Sequence, residues 1–343
     1  MKIRIITPAP PRSRKGNRVT ALRWARILRA LGHHVEIEQQ YQGGWCDLLV
    51  ALHARRSFAS IRHFRCEHPQ LPLIVALTGT DVYQDLRTSP LARQSLEMAT
   101  RLIVLQPLAI AEIPERVRPK ARVIYQSAEP IRRRAAPAKS TFDVCVLGHL
   151  RPVKDPFRTA LAARLLPASS RLQVLQVGAA LSQEMAERAR TEAACNPRYR
   201  WLGELPRWRA RHTLARSRLL VLTSKLEGGA NVVSEALAAA VPVLSSRIPG
   251  SVGILGEEYP GYFPFGEARL LAALLHRAET DTGFYEELRA WCQRLAPLID
   301  PARERQSWES LLRELSPREA RPGQPQLRGA GPSCPLPGFP TSP

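Results

Sequence analysis

Short apolar runs alternate along the first third of the chain with segments in which apolar residues recur at helical spacing. The runs predict strands at residues 3–6, 35–37, 47–52, 73–77, 101–105 and 122–125. Between the first two, Val19, Leu22, Ala25 and Leu28 fall on one helical face, and Gly32 ends the helix. Nearly continuous apolar strands indicate a parallel sheet covered by helices on both faces. The pattern therefore predicts a doubly wound α/β domain.

The same alternation begins again after residues 131–140, which contain three arginines and Pro137 and have the composition of a linker. Strands are predicted at 142–147, 172–177, near Tyr199 and at 219–222, followed by a Val-Pro-Val strand. We therefore divide the chain into Rossmann-like domains at 1–135 and 140–298, a closing C-terminal helix at 299–316 and a Pro/Gly-rich tail at 317–343, which we expect to be disordered. Ligands of such domains bind at the carboxyl ends of the strands, here in the cleft between the two halves.

The loop that follows the strand at 219–222 combines two carboxylates, a glycine pair and a helix start. Its chemistry is carried by Glu227, Gly228, Gly229, Ala230, Asn231 and Glu235. The glycines and the helix N-terminus predict a phosphate cradle, and the glutamates can accept hydrogen bonds from the hydroxyls of a sugar or ribose. The alternative is that Glu227 is a solvated loop residue and Glu235 a favourable acid in the first helical turns.

A basic loop follows the first strand of the second half. It runs from Gly148 to Pro156 and carries Arg151 and Lys154, which could clamp a diphosphate and stabilise its charge as it leaves. The alternative is a merely solvated basic loop. In the first half, Gly16 and Asn17 precede the helix that follows the first strand and offer backbone amides from the opposite side of the cleft.

Polar residues also end two of the strands in the first half. His53 and Arg55 follow the strand at 47–52, and Thr80 and Asp81 follow the strand at 73–77. We expect His53 to face the donor or acceptor, and Arg55, Thr80 and Asp81 to contact the acceptor. A structural His53 and a helix-capping Asp81 are the alternatives.

The net charge of +20 raises the question of nucleic acid as a partner. Only six of the fifty basic residues are lysine, and the arginines are scattered, which favours a compositional bias. The six cysteines form no C-x-x-C pair, and no D-x-D motif offers ligands for a metal that bridges a diphosphate. The basic, partly amphipathic stretch 55–65 suggests a membrane-surface helix only weakly. We predict a cytoplasmic protein that has no metal, cofactor, nucleic acid or stable membrane insertion.

The spacing from Glu227 to Glu235 resembles the Glu-x7-Glu motif of retaining glycosyltransferases with the GT-B architecture, which has two Rossmann-like domains. The resemblance implies that Glu227 contacts the donor sugar and Glu235 the ribose of a nucleoside diphosphate. It also implies a Gly-Arg-Leu-x-x-x-Lys loop. Gly148, Leu150 and Lys154 match this loop, but His149 replaces the arginine and makes Arg151 the candidate substitute.

A more specific resemblance covers about residues 1–315. The segments that carry this resemblance are residues 5–10, 15–21, 77–83, 149–156 and 227–231. Together these motifs resemble the selenosugar synthases of selenoneine biosynthesis. This implies transfer of a hexose or N-acetylhexosamine from a UDP-sugar, such as UDP-GlcNAc or UDP-glucose, to selenophosphate with formation of a C–Se bond. A GT-B enzyme acting on a lipid or polysaccharide hydroxyl, and a non-enzymatic nucleotide-sugar binding protein, are the alternatives.

Overall fold

The computed structural model describes residues 1–13, 16–131, 136–138 and 140–315. The predicted disordered tail and half of the predicted linker lie outside these residues, as do Arg14 and Lys15. The described chain forms two α/β domains, each built on a parallel six-stranded sheet. The prediction of two doubly wound domains is confirmed.

The first sheet contains β1 (Lys2–Ile6), β2 (His34–Glu38), β3 (Leu48–Leu52), β4 (Leu73–Leu77), β5 (Arg101–Val104) and β6 (Ala121–Val123), in the spatial order 2-1-3-4-5-6. Its helices are α1 (Gly16–Ala30), α2 (Phe58–Glu67), α3 (Leu86–Thr88) and α4 (Pro90–Met98). Every residue of β3 and β4 is buried, as expected for central strands covered on both faces.

The second sheet contains β7 (Phe142–Leu147), β8 (Leu172–Val177), β9 (Tyr199–Trp201), β10 (Leu219–Leu222), β11 (Val243–Ser246) and β12 (Tyr262–Phe263), in the order 12-11-10-7-8-9. Its helices are α5 (Arg158–Arg164), α6 (Gln183–Cys195), α7 (Arg207–Arg216), α8 (Asn231–Ala238), α9 (Pro249–Leu255), α10 (Ala268–Thr280) and α11 (Thr282–Leu295). Because β7 and β10 are neighbours, the loops that follow them lie side by side.

Helices α7, α9 and α10 were not predicted from the apolar pattern. In α7 four of ten residues are arginine, and only Ala210, Leu214 and Ala215 are buried. A stripe of so few apolar groups is a weak periodic signal, and packing against the second sheet stabilises the helix instead.

The C-terminal helix α12 (Pro301–Leu315) returns to the first domain. Trp308 is fully buried, and its ring meets that of Trp24 on α1 edge to face, with 5.1 Å between centroids. Beside them the buried Glu304 carboxylate accepts hydrogen bonds from the Trp24 indole at 2.8 Å and from the Ser127 amide at 2.8 Å. The last helix of the chain thus completes the core of the first domain, and the chain crosses between domains twice.

Candidate active site

The loops after β7 and β10 meet through a lysine and a glutamate. Lys154 forms an ion pair with Glu227, and the same Glu227 oxygen accepts a hydrogen bond from the Ser224 hydroxyl at 2.7 Å. The Lys154 side chain is 23% exposed and that of Glu227 12% exposed, so both are largely shielded from bulk water. In such a place a cation and a carboxylate interact more strongly than on an open surface.

The backbone that carries Lys154 is held in an unusual conformation. Asp155 has a φ of 42°, in the left-handed region that few residues other than glycine adopt. The Thr223 hydroxyl donates to the carbonyls of Lys154 at 2.8 Å and Asp155 at 2.9 Å, and the Lys225 amide donates to Val153 at 2.8 Å. These bonds connect the two loops and fix the direction in which Lys154 points.

Glu235 lies on α8, in the helical turn after Asn231. It is 8% exposed, and one of its oxygens lies 3.4 Å from the Arg207 guanidinium of α7. The Asn231 side chain at the start of α8 accepts a hydrogen bond from Arg23 of the first domain at 2.7 Å. Glu227, the start of α8 and Glu235 therefore follow the carboxyl end of β10 within one strand–loop–helix unit.

The glycine pair lies at a close contact between the two domains. A Cβ atom on Gly228 would lie 2.6 Å from the backbone of Thr78 and Gly79, and one on Gly229 would lie 2.6 Å from Cβ of Leu105. From the sequence we predicted that these glycines let a phosphate come close to the backbone. The structure adds that they allow the β10 loop to pack directly against the first domain.

In the first domain, Gly16 and Asn17 are the first two residues of α1, which begins three residues earlier than the apolar face indicates. Gly16 is exposed and Asn17 is half-buried. Their amides therefore belong to the first turn of a helix, where N–H groups lack partners within the helix.

His53 is buried and has a φ of 74°. Its Nε2 lies 3.4 Å from the Thr80 hydroxyl and 3.7 Å from the Asp85 carboxylate, while Nδ1 lies 3.4 Å from the Arg56 amide. The pKa of His53 is lowered, mainly by burial. The charges of Asp81 and Asp85 act to raise this pKa, and those of Arg56 and Arg55 lower it further. A lowered pKa keeps the imidazole neutral at neutral pH.

Asp81 is fully buried, and its carboxylate accepts hydrogen bonds from three backbone amides: Thr78 at 2.9 Å, Gly79 at 2.8 Å and Ala54 at 3.3 Å. This arrangement favours a role in shaping the turn after β4 over direct contact with an acceptor. The Arg55 side chain is half exposed and lies 3.3 Å from Asp85, so it remains accessible at the rim.

The two candidates for the missing loop arginine differ in their surroundings. His149 Nδ1 accepts a hydrogen bond from the Ala179 amide at 3.3 Å, which connects it to the next βα loop. Arg151 is exposed. Of the two, only Arg151 carries the permanent charge of a phosphate ligand.

Sequence analysis missed four residues of the site. Three of them, Arg207, Arg23 and Asp85, reach the predicted residues only through packing of separate elements. The fourth is Ser224, in the same loop as Glu227. Ser224 lies three residues before Glu227, a common turn spacing, and is the one that local sequence could have suggested.

Two negative observations concern the described part of the chain alone. In it, no group of three or more His, Cys, Asp or Glu side chains is placed to hold a metal ion. Across the same residues, every helix is too short or too polar to cross a membrane.

A comparison with known protein families matches the second domain. Residues 127–294, just under half of the chain, match the family model described as glycosyl transferases group 1. The match spans nearly all of the second domain and includes Glu227, Glu235 and Lys154. The chain is a glycosyltransferase. A search of curated protein sequences finds no match.

Solved structures establish the GT-B fold of the whole glycosyltransferase. Anabaena HepE, in a complex with UDP and glucose, superposes with a TM-score of 0.73 at 16% identity and covers 92% of this chain and 100% of its own. Sucrose-phosphate synthase of Thermosynechococcus elongatus has a TM-score of 0.75 at 18% identity and covers 92% and 98%. An E. coli structure described as trehalose-6-phosphate bound with UDP-2-fluoro glucose gives 0.68 at 13% and covers 92% and 99%.

Proposed function

We propose that this glycosyltransferase takes a hexose or N-acetylhexosamine from a UDP-sugar. The observation that carries the proposal is the pairing of Lys154 with Glu227 beside Glu235 and the start of α8. These groups offer a cation for a diphosphate, backbone amides at a helix N-terminus, and two carboxylates for sugar hydroxyls. UDP or UDP-glucose in structures of the same fold supports the choice of donor.

Each group then has one role. Lys154 and Arg151 hold the diphosphate and stabilise its charge as the bond to the sugar breaks. Glu227 positions the sugar, and Glu235 accepts hydrogen bonds from the ribose. Gly16, Asn17 and the residues from Gly228 to Asn231 contribute backbone amides and close approach. Before the donor binds, Lys154 is neutralised by Glu227; the diphosphate then supplies a second anionic partner.

For the acceptor we propose selenophosphate. Its selenium attacks the anomeric carbon, a C–Se bond forms, the bond from that carbon to the diphosphate oxygen breaks, and UDP leaves with the electron pair. This nucleophile is already anionic at neutral pH and needs positioning rather than a general base. The motif resemblance supports this choice, as do the buried His53, both of whose ring nitrogens face protein groups, and Arg55 at the rim.

The proposal is tested by incubating the protein with UDP-GlcNAc or UDP-glucose, with and without fresh selenophosphate, under anaerobic and reducing conditions. UDP release that depends on selenophosphate, with the mass of a selenium-bearing sugar, is the expected result. The Lys154→Ala variant provides the control for release at this site. UDP binding without such turnover would contradict the acceptor and favour a hydroxyl acceptor or a non-enzymatic binding protein.

The variant His53→Asn separates the two classes of acceptor, because asparagine tolerates the positive φ of this position. A hydroxyl acceptor needs a base, so loss of His53 would lower turnover by about 10²-fold or more. With selenophosphate we expect a much smaller fall. Glycosylation of a lipid or oligosaccharide that requires His53 would overturn the selenium assignment.

A further inference from the structure

A small pocket between the domains is lined by four arginines that the roles above do not use. It has a volume of about 250 Å³, and its arginines are Arg23 and Arg26 of α1 with Arg207 and Arg211 of α7. The exposed Trp208 ring stands at its wall, 67% accessible to solvent. Guanidinium groups from two domains thus converge on one cavity.

Two of these arginines have unused hydrogen-bonding capacity. Arg23 is only 8% exposed; one terminal nitrogen bonds to Asn231, and Nη1 has no partner among the described residues. Arg211 donates to the Glu129 carbonyl, while its buried Nε also has no described partner. Buried donors without partners destabilise a protein unless a ligand or water satisfies them.

The carboxylates around the pocket do not balance its charge. Glu235 contacts Arg207 at 3.4 Å, and Glu304 accepts hydrogen bonds from Trp24 and Ser127. Glu129 lines the pocket and is exposed. The pKa of Arg23 is lowered, and burial is the largest cause. The nearby carboxylates of Glu304 and Glu235 act to raise this pKa, whereas the charges of Arg207 and Arg26 lower it further. Converging like charges of this kind are stabilised by an anion.

We propose that the pocket of Arg23, Arg26, Arg207 and Arg211 binds a phosphate group, as inorganic phosphate or as a small phosphate ester. Guanidinium forks match the oxygens of a phosphate, and an exposed indole can pack against the ring of a sugar or base attached to it. Neither Lys154 nor Arg151 lines this pocket.

The pocket shares Arg207 with the donor site. Phosphate bound in the pocket draws Arg207 away from Glu235 and leaves that carboxylate available to the ribose, so phosphate strengthens UDP binding and UDP strengthens phosphate binding. This coupling rests on the proposed role of Glu235. The phosphate site itself does not.

The test is calorimetric titration of inorganic phosphate into the Lys154→Ala variant, which weakens competition from the diphosphate contacts, and into the parent saturated with UDP. We expect binding that weakens about tenfold or more in Arg211→Gln and Arg26→Gln, since each removes a charge-assisted hydrogen-bond donor. Arg209→Gln, an exposed arginine of α7 outside the pocket, is the matched control. No binding, or equal binding by the Arg211 variant and the control, would overturn the proposal.

A second titration, with a hexose 6-phosphate, identifies the source of the phosphate. If the parent binds the ester more tightly than inorganic phosphate and Trp208→Ala does not, the ligand is an ester. If the parent binds the two with equal affinity, the ligand is inorganic phosphate. If phosphate leaves the Kd of UDP unchanged, the coupling through Arg207 is wrong. If UDP fails to bind at all, the donor assignment falls, while the titration of Lys154→Ala still decides the phosphate site.

Discussion

The ammonium of Lys154 is paired with the carboxylate of Glu227 across the loops that follow β7 and β10. The two residues are 73 positions apart in sequence, and the adjacency of β7 and β10 brings them together. Each neutralises the other in the absence of a ligand, so this part of the cleft holds a cation without the cost of leaving it unpaired.

The first prediction follows from this pair. We expect Lys154→Ala to reduce kcat by about 10² to 10³, the range found when one preorganised donor to a developing charge is removed. The steady-state rate of UDP release measures it. Lys225→Ala removes an exposed lysine of the adjoining loop and is expected to retain the parent rate. Equal losses in both variants would show that net charge, and not the position of Lys154, matters.

The second prediction concerns Glu235. We expect Glu235→Gln to weaken UDP binding by about tenfold, because a neutral amide forms weaker hydrogen bonds with ribose hydroxyls than a carboxylate does. Calorimetric titration with UDP gives the Kd. Glu258→Gln, an exposed position in the same domain, is the control. If Glu235→Gln binds UDP like the parent, the ribose assignment is wrong.

The third prediction addresses the contact between domains. An added Cβ at Gly228 would lie 2.6 Å from the backbone of Thr78 and Gly79. Because backbone atoms cannot rotate away as a side chain can, the two loops would have to move apart. Gly228→Ala is therefore expected to hold the cleft open and lower kcat/KM at least tenfold, with a small change in Tm. Gly283→Ala, at an exposed position of α11 where an added Cβ meets only the Asp281 carboxylate at 3.2 Å, provides the comparison. Unchanged kcat/KM in Gly228→Ala would show that closure of this contact is not required.

The fourth prediction is a pH dependence. The folded pKa of His53 lies below its ordinary value of 6.5, chiefly because of burial. Above pH about 6.5 the imidazole is neutral in both folded and unfolded chains, and its titration does not lower the free energy of unfolding. As the pH falls below this value, the unfolded chain binds the proton first and the free energy of unfolding decreases. Urea unfolding at several pH values should show a shallower acid dependence in His53→Asn, and parallel curves would contradict this.

The fifth prediction concerns the return of α12 to the first domain. Trp308→Ala should lower the free energy of unfolding by about 3 to 5 kcal/mol, as expected for a large aromatic side chain removed from a core. Trp45→Ala removes an indole that is 59% exposed and should cost about 1 kcal/mol or less. Denaturant titration followed by circular dichroism measures both. A small effect of Trp308→Ala would show that α12 contributes little to the first domain.

The strands were accessible to sequence analysis because parallel, doubly covered strands are almost entirely apolar. The prediction at 73–77 coincides with β4, and those at 142–147, 172–177 and 219–222 coincide with β7, β8 and β10. Helix limits were less accurate, since the apolar face of α1 begins at Val19 while its first turn at Gly16 is polar. The polar helix α7 was missed for the same reason.

For the site, the order of strand, loop and helix by itself determined that Glu227, the glycine pair and Glu235 lie at the carboxyl end of β10. Local chain geometry requires no partner from elsewhere to produce this. Only the tertiary structure decided that Lys154 pairs with Glu227, that Gly228 packs against Thr78 and Gly79, and that Arg23 reaches Asn231. These contacts join distant parts of the chain. The order of the strands and the closure of the two domains bring those parts together, and no local sequence pattern encodes either.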